Sequence, residues 1–132
     1  MTIDHMTLNV PVGLFQECLD FYAAALQPLG YTVRRQLAKH VIGLGYNTIM
    51  KDAANFFIVG VEEAPNHKMH LAFTAPDREA VAAFHAAAVA AGGKDNGEPG
   101  SRAYHPFYFG SFVHDPAGNN IEAVCHKPPA SS

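Results

Sequence analysis

Residues 104–126, YHPFYFGSFVHDPAGNNIEAVCH, decide the fold. Asp115, Pro116, Ala117 and Gly118 suit the four places of a β-turn, with Asp first, Pro fixing φ at the second and Gly at the fourth. The aromatic run before the turn (Tyr104, Phe107, Tyr108, Phe109 and Phe112) and the run after it then read as two arms of a hairpin. Strand side chains alternate, so Asn120, Glu122, Val124 and His126 share one face of the return arm, and Ile121, Ala123 and Cys125 share the other. A carboxylate in mid-strand among apolar neighbours is costly to bury unless it is paired or bound to a metal. Glu122 therefore demands a partner from elsewhere in the chain.

Working back from the hairpin, His67 to Thr74 reads as a strand with Met69, Leu71 and Phe73 on one face and His70, Ala72 and Thr74 on the other. Thr74 and Asp77 have capping-box spacing, Pro76 suits a first helical turn, and Val81, Phe84, Ala88 and Val89 mark a helix that stops at Gly92 and Gly93. Lys94 to Ser101 is polar and glycine-rich, which predicts a mobile loop or lid. At the start of the chain, Ile3 to Val10 alternates with Met6, Leu8 and Val10 opposite His5, Thr7 and Asn9. A helix follows over Leu14 to Leu26 and ends at Pro28 and Gly30. Tyr31–Leu37, His40–Tyr46 and Phe56–Val61 read as strands, with a polar turn near Lys51 and Asp52.

Each half is thus βαβββ, and the halves align at one offset. His70 follows His5 by 65 residues and Glu122 follows Phe57 by 65. The fold class expected is α+β: two tandem βαβββ modules forming a curved mixed sheet around a cleft, with the helices on the outer face. Residues 1–62 are the first module, 67–126 the second and 127–132 a tail of one single domain. Around a pseudo-two-fold axis His5, Phe57, His70 and Glu122 would line the cleft floor. Met6, Leu8, Phe56, Ile58, Leu71, Phe73, Ile121 and Ala123 would pack under the helices.

Bulk properties narrow the function. The chain has 132 residues, 48% hydrophobic and 16% charged, with net charge −3, which disfavours a nucleic-acid or anionic-membrane partner because both need a basic patch. Cys18 and Cys125 make no disulfide framework and read as buried, reduced thiols. There is no signal-peptide pattern or membrane-length apolar run, so the expected location is cytoplasmic.

Taken together, the opening Ile3, Asp4 and His5, the Phe21–Tyr22 pair, His70 on the fifth strand and the closing Asp115 to Glu122 segment resemble the vicinal oxygen chelate superfamily. That superfamily includes glyoxalase I, extradiol dioxygenases, fosfomycin-resistance enzymes and bleomycin-binding proteins. The resemblance implies a divalent metal (Fe, Mn, Zn or Ni) on His5, His70 and Glu122, a facial set with open positions for a substrate with adjacent oxygens. It also implies a homodimer, and it leaves open whether one chain or two build the cleft. Glyoxalase I carries a second carboxylate where this chain has Phe57, which can neither bind metal nor move a proton, so a true glyoxalase I is not expected. The reading is a glyoxalase- or dioxygenase-like metalloenzyme (lyase, isomerase or dioxygenase) acting on a small molecule. The alternative is a metal-free, bleomycin-resistance-like binding protein. Tyr108 and His105, at the mouth of the hairpin, are candidate catalytic acid or base. Phe57, Thr7, Asn9, Arg102, Phe107 and Phe109 are candidate cleft residues, Arg102 being the nearest cation for an anionic substrate. His67, His85, His114 and His126 read as surface or loop residues.

Overall fold

The computed structural model describes residues 3–46 and 52–130. The first half consists of β1 (Met6–Pro11), α1 (Phe15–Ala25), β2 (Thr32–Ala38), β3 (Val41–Gly45) and β4 (Phe56–Val61). The second consists of β5 (His70–Thr74), α2 (Arg78–Ala90), β6 (Lys94–Ser101), β7 (Phe109–His114) and β8 (Asn120–Cys125). Strand orders are β1-β4-β3-β2 and β5-β8-β7-β6, so both halves have the same topology and the fold is α+β with tandem βαβββ modules. The polar turn expected near Lys51 lies, at Lys51 itself, outside the described residues.

The repeat is carried by backbone register. In the parallel β1–β4 pair Met6 stands opposite Phe56 and Thr7 opposite Phe57; in the parallel β5–β8 pair Leu71 stands opposite Ile121 and Ala72 opposite Glu122. The 65-residue offset therefore holds across four strands. It slips at the third strand of each half, where Gly43 faces Phe57 but Phe112 faces Glu122, a spacing of 69. The β7–β8 turn is tight, with the Gly118 amide donating to the Asp115 carbonyl at 2.9 Å, whereas residues 46–55 separate β3 from β4.

Alternation puts Leu8, Val10, Phe56, Ile58, Phe73, Ile121 and Ala123 under the helices, all buried, with Met6 and Leu71 half-buried beside them. Each large side chain so buried contributes about 1.5–3 kcal/mol. Gly93 lets the end of α2 approach both neighbours: a Cβ there would lie 2.4 Å from Val113 Cγ1 and 2.6 Å from Phe21 Cε2. No ladder joins the two sheets among the described residues, and β1 and β5 each stand at the end of their own sheet. A cavity of about 720 Å³, lined by Met6, Tyr31, Phe56, Leu71 and Phe73 among others, lies between those two ends.

Three local expectations change. Lys94–Ser101 is the edge strand β6 rather than a loop; it breaks register at Asp95/Gly97 and Gly97/Gly100, and only an edge tolerates such interruptions and Pro99. Asp77 caps α2, its carboxylate accepting from the Ala80 N–H at 2.8 Å, while Thr74 ends β5 and Pro76 precedes the cap. The outgoing hairpin arm begins at Phe109, and Tyr108 turns back on itself through its N–H to the His105 carbonyl. Cys18 and Cys125 are buried and unpaired, and burial, then the nearby Asp115 charge, pushes the Cys18 thiol up to about 12. Among the described residues no helix is long and apolar enough to cross a membrane.

Candidate functional site

Glu122 is 1% exposed, the one buried acid on the open face of the second sheet. Both of its oxygens are used. His70 Nε2 lies 2.9 Å from Oε1, and because the carboxylate carries no donor, the imidazole N–H donates. Tyr108 donates its hydroxyl to Oε2. Gly110 underlies the pair: a Cβ there would sit 3.1 Å from Oε2, so the missing side chain makes the room Glu122 occupies. His70 is more than half exposed, so the carboxylate is anchored in the protein and its partner ring faces solvent.

Burial, then the hydrogen bond to Glu122 and that group's charge, pushes the Tyr108 phenol up to about 12. Tyr108 thus stays protonated well above the range in which an ordinary tyrosine ionises. Its replacement by Phe is expected to leave the phenolate absorbance gained near pH 10 unchanged, because Tyr108 takes no part in that titration. A clear loss of amplitude there would show an unshifted phenol.

Around Tyr108 lies a cluster that sequence reasoning found only in part. His105 Nε2 and His126 Nδ1 are 2.8 Å apart with their rings stacked, and Tyr108 meets both edge-on, at 5.5 and 5.2 Å between centroids. His126 was expected to be a surface residue; it is exposed but engaged, and its shared strand face with Glu122 was the signal. Phe112 stands opposite Glu122, its ring 6.0 Å from that of His70, and was also missed. Counting out from the Asp115–Gly118 turn would pair it with Ile121; Asn119 adds a residue to the connection and moves the register to Glu122. Arg102 lies over Phe112 at 5.3 Å, held by the carbonyls of Gly100 and Glu98 at 2.9 and 2.8 Å.

Other expected residues lie elsewhere. Phe109 pairs with Cys125 on the helix side, under the Arg78 guanidinium, because strand alternation puts it opposite in sense to Phe112; it lines no cleft. Phe107 is exposed, as are Thr7 and Asn9 on β1. His5 is hydrogen-bonded through Nδ1 to Asp4 at 2.6 Å and meets Phe57 edge-on at 5.8 Å. His5, His70 and Glu122 do not gather their donor atoms within 4.8 Å of one another in a single chain; His70 and Glu122 do meet. His85, expected at the surface, is buried on the apolar side of α2.

This geometry can be set against known proteins. The family model of the Glyoxalase/Bleomycin resistance protein/Dioxygenase superfamily matches residues 2–123. The chain belongs to that superfamily. A glyoxalase/bleomycin resistance protein from Albidiferax ferrireducens T118 shares 28% identity with this superfamily member at a TM-score of 0.72, over 92% of this chain and 97% of that one. A glyoxalase/bleomycin resistance protein/dioxygenase family enzyme from Burkholderia phytofirmans PsJN gives 18% and 0.68, over 96% and 100%. A lactoylglutathione lyase from Agrobacterium tumefaciens gives 14% and 0.64, over 94% and 92%, which shows a common fold. No curated protein sequence matches the chain. Within the superfamily fold, the residue at the first-half counterpart of Glu122 is Phe57, half-buried and without a donor atom.

Proposed function

We propose that this superfamily member is a divalent-metal enzyme acting on a small molecule with adjacent oxygens, its centre built from His70 and Glu122 of one chain and His5 of a second copy. One observation carries the reading: Glu122 is buried between His70 and Tyr108. A buried carboxylate with an imidazole at 2.9 Å from one oxygen and a phenol on the other is a ligand pair already oriented. The donor set suits the ion, since two imidazoles and a carboxylate leave open positions on Fe, Mn, Zn or Ni. When bound, such an ion stabilises negative charge on a chelating substrate. The separate sheets, with β1 and β5 both at sheet ends, support a cleft completed across a homodimer.

The chain's own groups have distinct tasks. Tyr108 keeps its proton at the hydroxyl and holds Oε2, leaving Oε1 to turn toward the cleft. The His105–His126 pair shares a proton between Nε2 and Nδ1 beside Tyr108 and opens to solvent, a route by which protons reach the site. Arg102, with no carboxylate at ion-pair distance among the described residues, supports an anionic group on the substrate over Phe112.

Phe57 removes the second carboxylate, so glutathione with methylglyoxal is expected to give no lactoylglutathione above the protein-free rate. Rapid product formation would overturn that part of the reading. The alternative, a metal-free binder, is favoured by the aromatic surface of Phe57, Phe107 and Phe112. Purified protein that takes up no ion depending on Glu122 would decide for it.

A further inference from the structure

We propose that His85, Asp95 and Glu98 form a second divalent-cation site, remote in character from the cleft, that pins the edge strand β6 to α2. His85 belongs to the buried side of α2 with Val81, Phe84 and Ala88, and its residue is only 8% exposed. An imidazole in such a place needs a polar partner for its ring nitrogens. Nε2 reaches out of the apolar layer to Asp95 Oδ1 on β6 at 2.9 Å. The broken register of β6 brings Glu98 to the same spot, so that one donor atom from each of His85, Asp95 and Glu98 lies within 4.8 Å of the others.

Two features suit a cation at this cluster. The first is the pairing of two carboxylates at close range against one imidazole: their like charges oppose each other, and a cation between them relieves that repulsion. The second is size. Tetrahedral zinc with bonds of about 2.0–2.1 Å sets its ligand atoms about 3.3 Å apart. The His85–Asp95 separation of 2.9 Å therefore needs to open by only a few tenths of an ångström to admit the ion.

Access and anchoring also fit. The ring is fixed in the core, whereas the Asp95 side chain is 46% exposed and Glu98 is exposed, so an ion arrives from solvent and water completes its shell. One nitrogen and two carboxylate oxygens suit zinc, cobalt, nickel or manganese better than calcium or magnesium. The Glu98 carbonyl also holds Arg102 Nη2 at 2.8 Å, so an ion on the Glu98 side chain steadies the strand that positions Arg102 beside Phe112.

The test uses a full chain carrying His5→Ala and His70→Ala, two rings more than half exposed, so that the proposed cleft centre loses both of its imidazole ligands. Titration with Zn²⁺ by calorimetry and with Co²⁺ by visible absorption is expected to give about one ion per chain. Adding Asp95→Asn or Glu98→Gln, both at exposed carboxylates, is expected to weaken binding about tenfold or more. His85→Asn, its fold checked by circular dichroism, is expected to remove the cobalt absorption bands. No uptake, uptake indifferent to Asp95→Asn and Glu98→Gln, or uptake that survives His85→Asn unaltered would each overturn the site. Should His85→Asn fail to fold, the two carboxylate variants decide alone.

Discussion

Asp115→Ala is expected to destabilise the protein by about 3–5 kcal/mol, the largest loss among single changes away from the cleft. Asp115 is 4% exposed and accepts four hydrogen bonds. Oδ1 takes the N–H groups of Ala117 and Asn119 at 3.0 and 2.8 Å, and Oδ2 takes Asn119 Nδ2 at 2.9 Å together with the Tyr22 hydroxyl. The first three bonds fold the β7–β8 turn. The fourth ties that turn to α1, in the other half of the molecule. Tyr22 is fully buried, and burial with the Asp115 charge raises its phenol far above the ordinary range, so it remains a neutral donor. Without the carboxylate, four donors, most of them buried, lose their acceptor. Tyr22→Phe removes one donor and leaves three, so its cost is expected to be about 1–2 kcal/mol. Urea unfolding of both variants and their double mutant measures the coupling, and an Asp115→Ala loss below about 1 kcal/mol would show that the turn is held by other contacts.

Glu122→Gln is expected to abolish metal uptake at the cleft, by about a hundredfold or more, while leaving the fold intact. The amide has nearly the same volume, and its oxygen still accepts from Tyr108 or His70, so packing around Gly110 is kept. What it loses is the negative charge, the property that makes an oxygen a strong ligand for a divalent ion. Thermal unfolding within a few degrees of wild type, together with loss of the ion, separates a ligand from a structural acid. Metal uptake equal to wild type would return Glu122 to a purely structural part.

The reading of the sequence and the structure meet where one rule sufficed. Alternation in β1, β4, β5 and β8 placed the core face correctly, and the 65-residue offset is kept in the register that pairs Thr7 with Phe57 and Ala72 with Glu122. It failed where more than one rule acted. The aromatic run 104–112 reads as one arm of the hairpin, yet only Phe109 onward is extended, so Phe109 was placed in the cleft and Phe112, which faces Glu122, was passed over. β6 shows no alternation because nearly every residue in it faces solvent or sits at a break in register, and an edge strand of that kind has the composition of a loop. His85 falls on the helical stripe of Val81, Phe84 and Ala88, but a buried imidazole is uncommon enough that composition alone favoured the surface. The meeting of His70 with Glu122 follows from adjacent parallel strands; the distance of both from His5 depends on how the two sheets are arranged, which local patterns do not encode.

That arrangement leads to the most direct measurement of the central claim, a metal centre assembled from two chains. His5→Ala and His70→Ala are purified separately, each with Glu98→Gln to silence the β6 site, then mixed, unfolded, refolded together and analysed for bound metal. Neither variant alone is expected to hold an ion in the cleft, and the mixture is expected to recover about a quarter of the wild-type sites, because half of the dimers are mixed and each carries one intact centre. A mixture that recovers none, with either variant alone as empty as before, would contradict a centre shared between chains.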